Sequence, residues 1–396
     1  MPDEVTLQRR AGAIAGREPL GTPFYRLCFC VFGVMGCFYL PLSAAPLHAA
    51  GQGGNFGAGL VTGVLMGGTV LGEIVATRLI ARLGRRLTAA LAMLALALPG
   101  FAVFGGDLVL VAAACLVRGV GLGIVLVVAG GLAATLAPLA RRNEALGIYG
   151  LSAALPAILF VPLGLWMMAQ GSASLVAGAT MAFGLAGLLG LSVFPPRAEP
   201  GGNTVGRVDW AAQVWPATTL AAGAVTAGVV ITFLPLVVGH SETLLVEGAL
   251  LLHGLAAALS RLAAGRHGDR RGPMGPVLFG LVATVTGAVL LGISSGNLAV
   301  LVAITALGAG FGLLQSGSLT LMLNRAPKGQ EDAISAAWNI AYDTGLGFGA
   351  VGFGLLANPF GYGGAFLLLA GLILPLVAPF ARASARRPVR LQRHAG

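Results

Sequence analysis

Charge is what this sequence has least of. Charged residues make up 10% of its 396 residues, against roughly 25% in a typical soluble domain. Hydrophobic residues make up 57%. A water-soluble chain of this length has no means of hiding so much apolar surface, so an integral membrane protein is expected. Other absences narrow the class further. There is no G-x-x-x-x-G-K-[ST] loop and no polar segment long enough to form a nucleotide-binding domain, so ATP-driven pumping by this chain alone is not expected. No His/Cys group has metal-ligand spacing and no nucleophile–base set stands out, so no metal, cofactor or enzymatic activity is expected. Cys28, Cys30, Cys37 and Cys115 all lie in apolar stretches, which argues against an extracellular disulfide framework. The absence of a sizeable soluble output domain argues against a sensor.

About 20 apolar residues cross ~30 Å of hydrocarbon. Twelve such stretches occur, near residues 24–47, 58–80, 87–104, 108–137, 146–169, 175–194, 215–238, 244–264, 276–293, 298–323, 333–357 and 364–381. The expected fold is therefore all-α, with twelve transmembrane helices. The polar start is too long and too charged for an ordinary signal peptide, so the first span is expected to be retained.

The basic residues set the orientation. All but one of the 24 Lys and Arg residues fall in segments that can share one side of the membrane. Arg9, Arg10, Arg17 and Arg26 precede span 1, and Arg78, Arg82, Arg85 and Arg86 cluster between spans 2 and 3. Arg141, Arg142, Arg197, Arg207, Arg261, Arg266, Arg270, Arg271, Arg325 and Lys328 continue the pattern, and more arginines follow span 12. The opposite loops offer only His48, Asp107, His240 and Glu242. By the positive-inside rule both termini are expected in the cytoplasm, in a plasma (inner) membrane. The net charge of +10 follows from the same rule and from attraction to anionic lipid. Its dispersal over short loops makes a nucleic-acid partner a poor explanation.

The two halves resemble each other. Leu40-Pro41-Leu42 matches Leu234-Pro235-Leu236 at an offset of 194, and Arg78, Arg82 and Gly84 match Arg266, Arg270 and Gly272 at 188. Gly119, Gly121 and Gly123 match Gly308, Gly310 and Gly312 at 189, as Pro138 matches Pro327. Internal repeats of this kind mark secondary transporters, whose substrate site lies between the repeats. The expected organisation is a cytoplasmic segment 1–23, a six-helix bundle 24–194, a cytoplasmic linker 195–214, a second bundle 215–381 and a basic tail 382–396.

The segment Gly265-Arg266-His267-Gly268-Asp269-Arg270-Arg271-Gly272 resembles the G-x-x-x-D-R-x-G signature of the major facilitator superfamily. The first-half copy is eroded, with Thr77 and Ala81 at the Gly and Asp positions, and keeps Arg82, Gly84 and Arg85. The resemblance implies two six-helix bundles around a cavity that opens alternately to each side. It also implies a conformational clasp at Gly265, Asp269, Arg270 and Gly272, with a weaker copy at Arg82, Gly84 and Arg85. A narrower resemblance is to drug/proton antiporters and sugar- or metabolite-efflux carriers. Their span 4 carries an Arg followed by glycines, as Arg118-Gly119-Val120-Gly121-Leu122-Gly123 does. Their span-5 Gly-Pro signature is replaced here by Phe160-Val161-Pro162-Leu163-Gly164, with Pro156 nearby.

Ionisable residues inside the membrane face protein or water because lipid penalises them. Spans 3, 6, 9 and 12 hold none centrally, so these can face lipid. Arg118 stands about ten residues into span 4, roughly 15 Å deep at ~1.5 Å per residue. It is a candidate for substrate or proton coupling, or for a buried ion pair. Asp343, with Asn339 one turn earlier, is a second candidate, since burial disfavours a carboxyl group's charged form and suits a proton carrier. Glu73, His253, Gln315 and Glu247 complete the candidate set, each with a packing or hydration alternative. Tyr149 and Trp338 are candidate cavity-lining aromatics or simple packing residues. The function expected is secondary active export of a small organic solute, coupled to protons, by a monomer in the bilayer. The alternative is import of a metabolite by symport or uniport.

Overall fold

The computed structural model describes residues 20–136, 141–196, 209–239, 242–294, 296–326 and 330–379. The start of the N-terminal segment, most of the 195–214 linker, the basic tail, the Pro138/Pro327 pair and the side chain of Asp269 lie outside the described residues. Contacts divide the chain into two compact units, Met1–Asn203 and Thr204–Gly396.

The first unit comprises α1 (Thr22–Tyr39), α2 (Ala44–Leu83), α3 (Arg85–Ala97), α4 (Leu108–Leu136), α5 (Arg142–Ala169) and α6 (Ala173–Gly187). Short 3-10 turns extend α3 and α6. The second unit comprises α7 (Trp210–Val238), α8 (Thr243–Arg271), α9 (Met274–Ile293), α10 (Asn297–Arg325) and α11 (Glu331–Ile373). Ten helical stretches among the described residues are long and apolar enough to cross a membrane.

Sequence explains most boundaries. Pro23 sits in the first turn of α1, where its missing N–H costs nothing. Pro41 then stops the helix, because it has no N–H to offer the carbonyl of Cys37. The α7 helix begins at Trp210, five residues before the apolar stretch that starts at 215. Asp209 caps it, its carboxylate accepting from the backbone N–H groups of Ala211 at 3.1 Å and Ala212 at 3.3 Å.

Two long elements are each broken by glycine. Gly54 in α2 has φ 57° and ψ −150°, and Gly361 in α11 has φ 66° and ψ 171°. Side chains other than glycine's are nearly excluded from that region. Each break falls between two apolar stretches of the sequence, so α2 and α11 each turn between one stretch and the next.

The repeat is a repeat of geometry. Gly84 (φ 79°, ψ 163°) and Gly272 (φ 85°, ψ 162°) end α2 and α8 in the same left-handed conformation. Each returns its N–H at 2.9 Å to the carbonyl four residues earlier, on Ile80 and Gly268. The span-4 and span-10 glycines also have matching neighbours. A Cβ on Gly119 or Gly123 would strike the carbonyl of Leu65 or Thr69 on α2. One on Gly308 or Gly312 would strike the carbonyl of His253 or Ala257 on α8. Gly121 and Gly310 point the other way, to Ala92 on α3 and to Thr284 and Gly280 on α9. Without a hydrophobic drive between helices in lipid, such backbone contact is what holds them together. Gly123→Ala and Gly312→Ala are therefore each expected to cut the yield of folded, monodisperse protein several-fold. Gly130→Ala, where nothing stands within 4 Å, is expected to be neutral or slightly stabilising. Size-exclusion profiles of the three variants check this.

Candidate functional site

Arg118 is 2% exposed and belongs to α4. One Nη donates to the carbonyl of Leu96 on α3 at 2.6 Å, and the other to the carbonyl of Cys37 on α1 at 2.8 Å. Both acceptors lie at helix C-termini, where carbonyls lack intrahelical donors and the macrodipole is negative. Prolines sharpen the deficit. Cys37 stands four residues before Pro41, and Leu96 three before Pro99 in a 3-10 turn, so each carbonyl faces a nitrogen without a hydrogen. One guanidinium thus supplies two missing donors and sits at two partial negative charges. It also lines a small cavity with Pro41, Thr62 and Cys115.

Glu73 on α2 is 91% buried, at 9% exposure. Neither carboxylate oxygen has a hydrogen-bond partner among the described residues. An ionised carboxylate so placed would forgo several kcal/mol of solvation without compensation. The α2–α4 approach at Gly123 brings that helix against the Glu73 backbone.

In the second unit, His253 on α8 is buried with Nε2 unpartnered among the described residues. Its ring stacks on Phe311 of α10 (centroids 6.1 Å apart, planes 20°). Phe311 stacks on Tyr342 of α11 (5.9 Å, 25°), and Tyr342 on Trp338 (5.9 Å, 6°). Trp338 Nε1 donates to Ser318 Oγ at 3.1 Å. One turn from Phe311 and from Ser318 along α10, Gln315 accepts from Arg261 Nη1 at 3.4 Å. Asn339 is half-buried beside Trp338 in the sequence, and Asp343 is 5% exposed. Glu247, near the start of α8, is half-buried with Oε1 unpartnered among the described residues. His253, Gln315 and Arg261 thus belong to one connected set with three aromatics, while Glu73 and Arg118 lie in the other unit.

At the α2–α3 turn, Arg82 is exposed and Arg85 half-buried. Their neighbour Arg86 carries the bonding. Its Nε donates to the carbonyl of Phe194 at 2.9 Å, an Nη to that of Ser192 at 3.2 Å, and its backbone N–H to that of Pro195 at 3.2 Å. Arg86 therefore ties the start of α3 to the end of the α6 segment. In the second half, Gly265 and Gly272 are described, and Arg270 is exposed. Arg86→Ala is expected to lower the melting temperature by a few degrees, leaving the carbonyls of Phe194 and Ser192 short of donors at a partly wetted site. Thermal unfolding of the purified variant checks it.

The sequence profile of the Major Facilitator Superfamily matches residues 27–350. The chain belongs to this superfamily. No curated protein matches it by sequence. The fold of this superfamily member is similar to that of the nucleoside transporter NupG, at 11% identity over 92% of this chain and 99% of that one, with a TM-score of 0.72. It is also similar to the xylose transporter XylE from E. coli in a partially occluded inward-open conformation (14% identity, 91% and 99% covered, TM-score 0.70). The peptide transporter POT in complex with alafosfalin is a third (12%, 92% and 94% covered, TM-score 0.74). At these identities the likeness concerns the fold.

Within this superfamily member, sequence reasoning missed the roles of Arg86, Phe311 and Tyr342. Phe311 and Tyr342 look like ordinary apolar filling in a sequence. Arg86 had a signal, its place directly behind the turn glycine, but its carbonyl partners lie more than 100 residues away.

Proposed function

We propose that the chain is a secondary active transporter that exports a small organic solute by alternating access, in exchange for protons. The observation that carries proton coupling is Glu73, a buried carboxyl group with both oxygens unpartnered among the described residues. A group that exchanges no hydrogen bonds with its surroundings can gain or lose a proton as soon as water reaches it. Membership of a transporter superfamily and the matched packing of the two units support alternating access. Twelve spans follow if the 62-residue stretch Thr22–Leu83 and the 47-residue stretch Ala333–Pro379 each cross twice, being two or more times the ~20 residues a crossing needs. Glycine breaks at Gly53–Gly54 and Gly361 stand where those turns belong. This gives two bundles of six, both termini in the cytoplasm by the basic loops, and a plasma or inner membrane location for a monomer. The outward direction rests on the antiporter-like Arg118–Gly123 segment.

The test is reconstitution in liposomes holding a pH dye, with sugars, amino acids, organic acids and drug-like compounds added outside one at a time. Solute entering in exchange for internal protons makes the interior more alkaline, which is the expected response. Acidification would mean that protons enter with the solute and would replace export with symport.

A further inference from the structure

The side of α2 turned away from α4 carries Leu71, Ile74, Arg78 and Arg82, all of them exposed. Spacings of three, four and four residues keep them within about 80° of the helix surface. The other side of this helix holds Thr69, Gly72 and Glu73 buried against α4. The exposed stripe recurs in the second unit. At the offset of 188 its four residues correspond to Leu259, Leu262, Arg266 and Arg270 on α8, and these are exposed too. The four apolar side chains are between 48% and 67% exposed. The packing that fixes the repeat runs along the opposite, glycine-contacting sides of α2 and α8, so it does not demand a match here. In both units the two arginines follow the two apolar residues and precede the left-handed glycine, Gly84 or Gly272. None of the four arginines has a hydrogen-bond or ion-pair partner among the described residues.

We infer that each stripe is a binding site for one anionic phospholipid, with its phosphate on the arginine pair and an acyl chain along the apolar pair. Residues four apart on one helix face stand about 5–6 Å apart at Cβ, so two planar guanidinium forks converge on one phosphate. The apolar pair lies one to three turns further along the same face, where a chain leaving that phosphate runs. What is missing beside the arginines sets the charge of the headgroup. The carboxyl groups among the described residues of the first unit are Glu73, on the buried side of α2, and Asp107, which caps the start of α4. Neither is placed to receive the ammonium of a zwitterionic headgroup. In the second unit Asp269 precedes Arg270 in the sequence, where the first unit has Ala81 before Arg82. The added negative charge makes the second-unit site the weaker of the two for an anion. These are two defined places, distinct from the diffuse attraction that every basic loop exerts on an anionic surface.

Native mass spectrometry of the full-length, delipidated protein in detergent counts the sites. The probe is dioleoylphosphatidylglycerol, with dioleoylphosphatidylcholine as the zwitterionic control and glycerol 1-phosphate as a headgroup without chains. Two molecules of the anionic lipid are expected to stay bound, the first several-fold more tightly than the second. Phosphatidylcholine should bind at least tenfold more weakly, and glycerol phosphate not at all in the same concentration range. Arg78→Gln with Arg82→Gln is expected to weaken the tighter site at least tenfold, and Arg266→Gln with Arg270→Gln the other. Arg271→Gln, exposed on the same helix but off the stripe, should leave both sites unchanged. The arginines also serve the positive-inside rule, so the Gln pairs can fail to insert. The corresponding Lys pairs keep the charge and lose the fork, and are expected to bind several-fold more weakly than the native chain. Failure to retain the anionic lipid, equal retention of phosphatidylcholine, or equally tight binding of glycerol phosphate overturns the inference. So does an equal loss in Arg271→Gln, which would mean charge spread over the surface, or unchanged affinity in the paired variants.

Discussion

Arg118→Met is expected to remove most of the folded protein from the membrane. The substitution leaves the buried carbonyl of Cys37 without a donor, at about 1–3 kcal/mol, and leaves that of Leu96 with only the weak Cys37 thiol at 3.7 Å. It also removes a positive charge from the C-terminal ends of α1 and α3. Against a total stability of about 5–15 kcal/mol, a loss of about 2–4 kcal/mol is large. Arg118→Lys, which has one short donor head in place of a fork, should recover part of the yield. Membrane abundance and thermal unfolding of the purified variants read this out. Normal abundance and an unchanged melting temperature in Arg118→Met, with transport lost, would instead make Arg118 a contact for solute or proton.

Glu73→Gln is expected to do the opposite, leaving a folded protein that no longer couples to protons. The amide has the size of the carboxyl group it replaces, so the packing of α2 against α4 has no reason to change. Exchange of labelled for unlabelled solute across liposomes should persist within about twofold, because it needs no net proton movement. The solute-dependent pH response should fall at least tenfold; retained label reads the first arm and the dye the second, in one preparation. A pH response of ordinary size in the variant would assign coupling to another acid, with Asp343 next to be replaced.

How much of this was legible beforehand depends on the range of the interaction. The apolar stretches, the basic loops and the offsets of 188 and 189 are local or periodic features, and the matched conformations of Gly84 and Gly272 follow them closely. Alternating faces of Gly119, Gly121 and Gly123 were half-legible. The spacing marked close packing, but which helix lay on which side needed three dimensions. Arg118 stood out at once as a buried charge, and its partners did not. They are main-chain carbonyls made available by Pro41 and Pro99, 77 and 19 residues away in the chain (118 − 41 and 118 − 99). A search for a carboxylate partner therefore could not find them. The aromatic stack was hidden for a similar reason. His253 was singled out for its chemistry, while Phe311 and Tyr342 gained meaning only when three helices brought their rings into line.

These two replacements separate what holds the first unit together from what it does. Arg118 closes the ends of two proline-stopped helices, and Glu73 keeps a carboxyl group in reserve. The remaining question is whether a proton gradient drives solute across the membrane. Liposomes made acidic inside by one pH unit, with any membrane potential collapsed, answer it most directly, using the compound that gives the largest dye response. One pH unit is worth about 1.4 kcal/mol per proton, so one-for-one exchange should concentrate the solute inside up to about tenfold over the outside. Accumulation of that order, abolished in Glu73→Gln, is the predicted result. Uptake that stops at equal concentrations whatever the gradient would contradict the account.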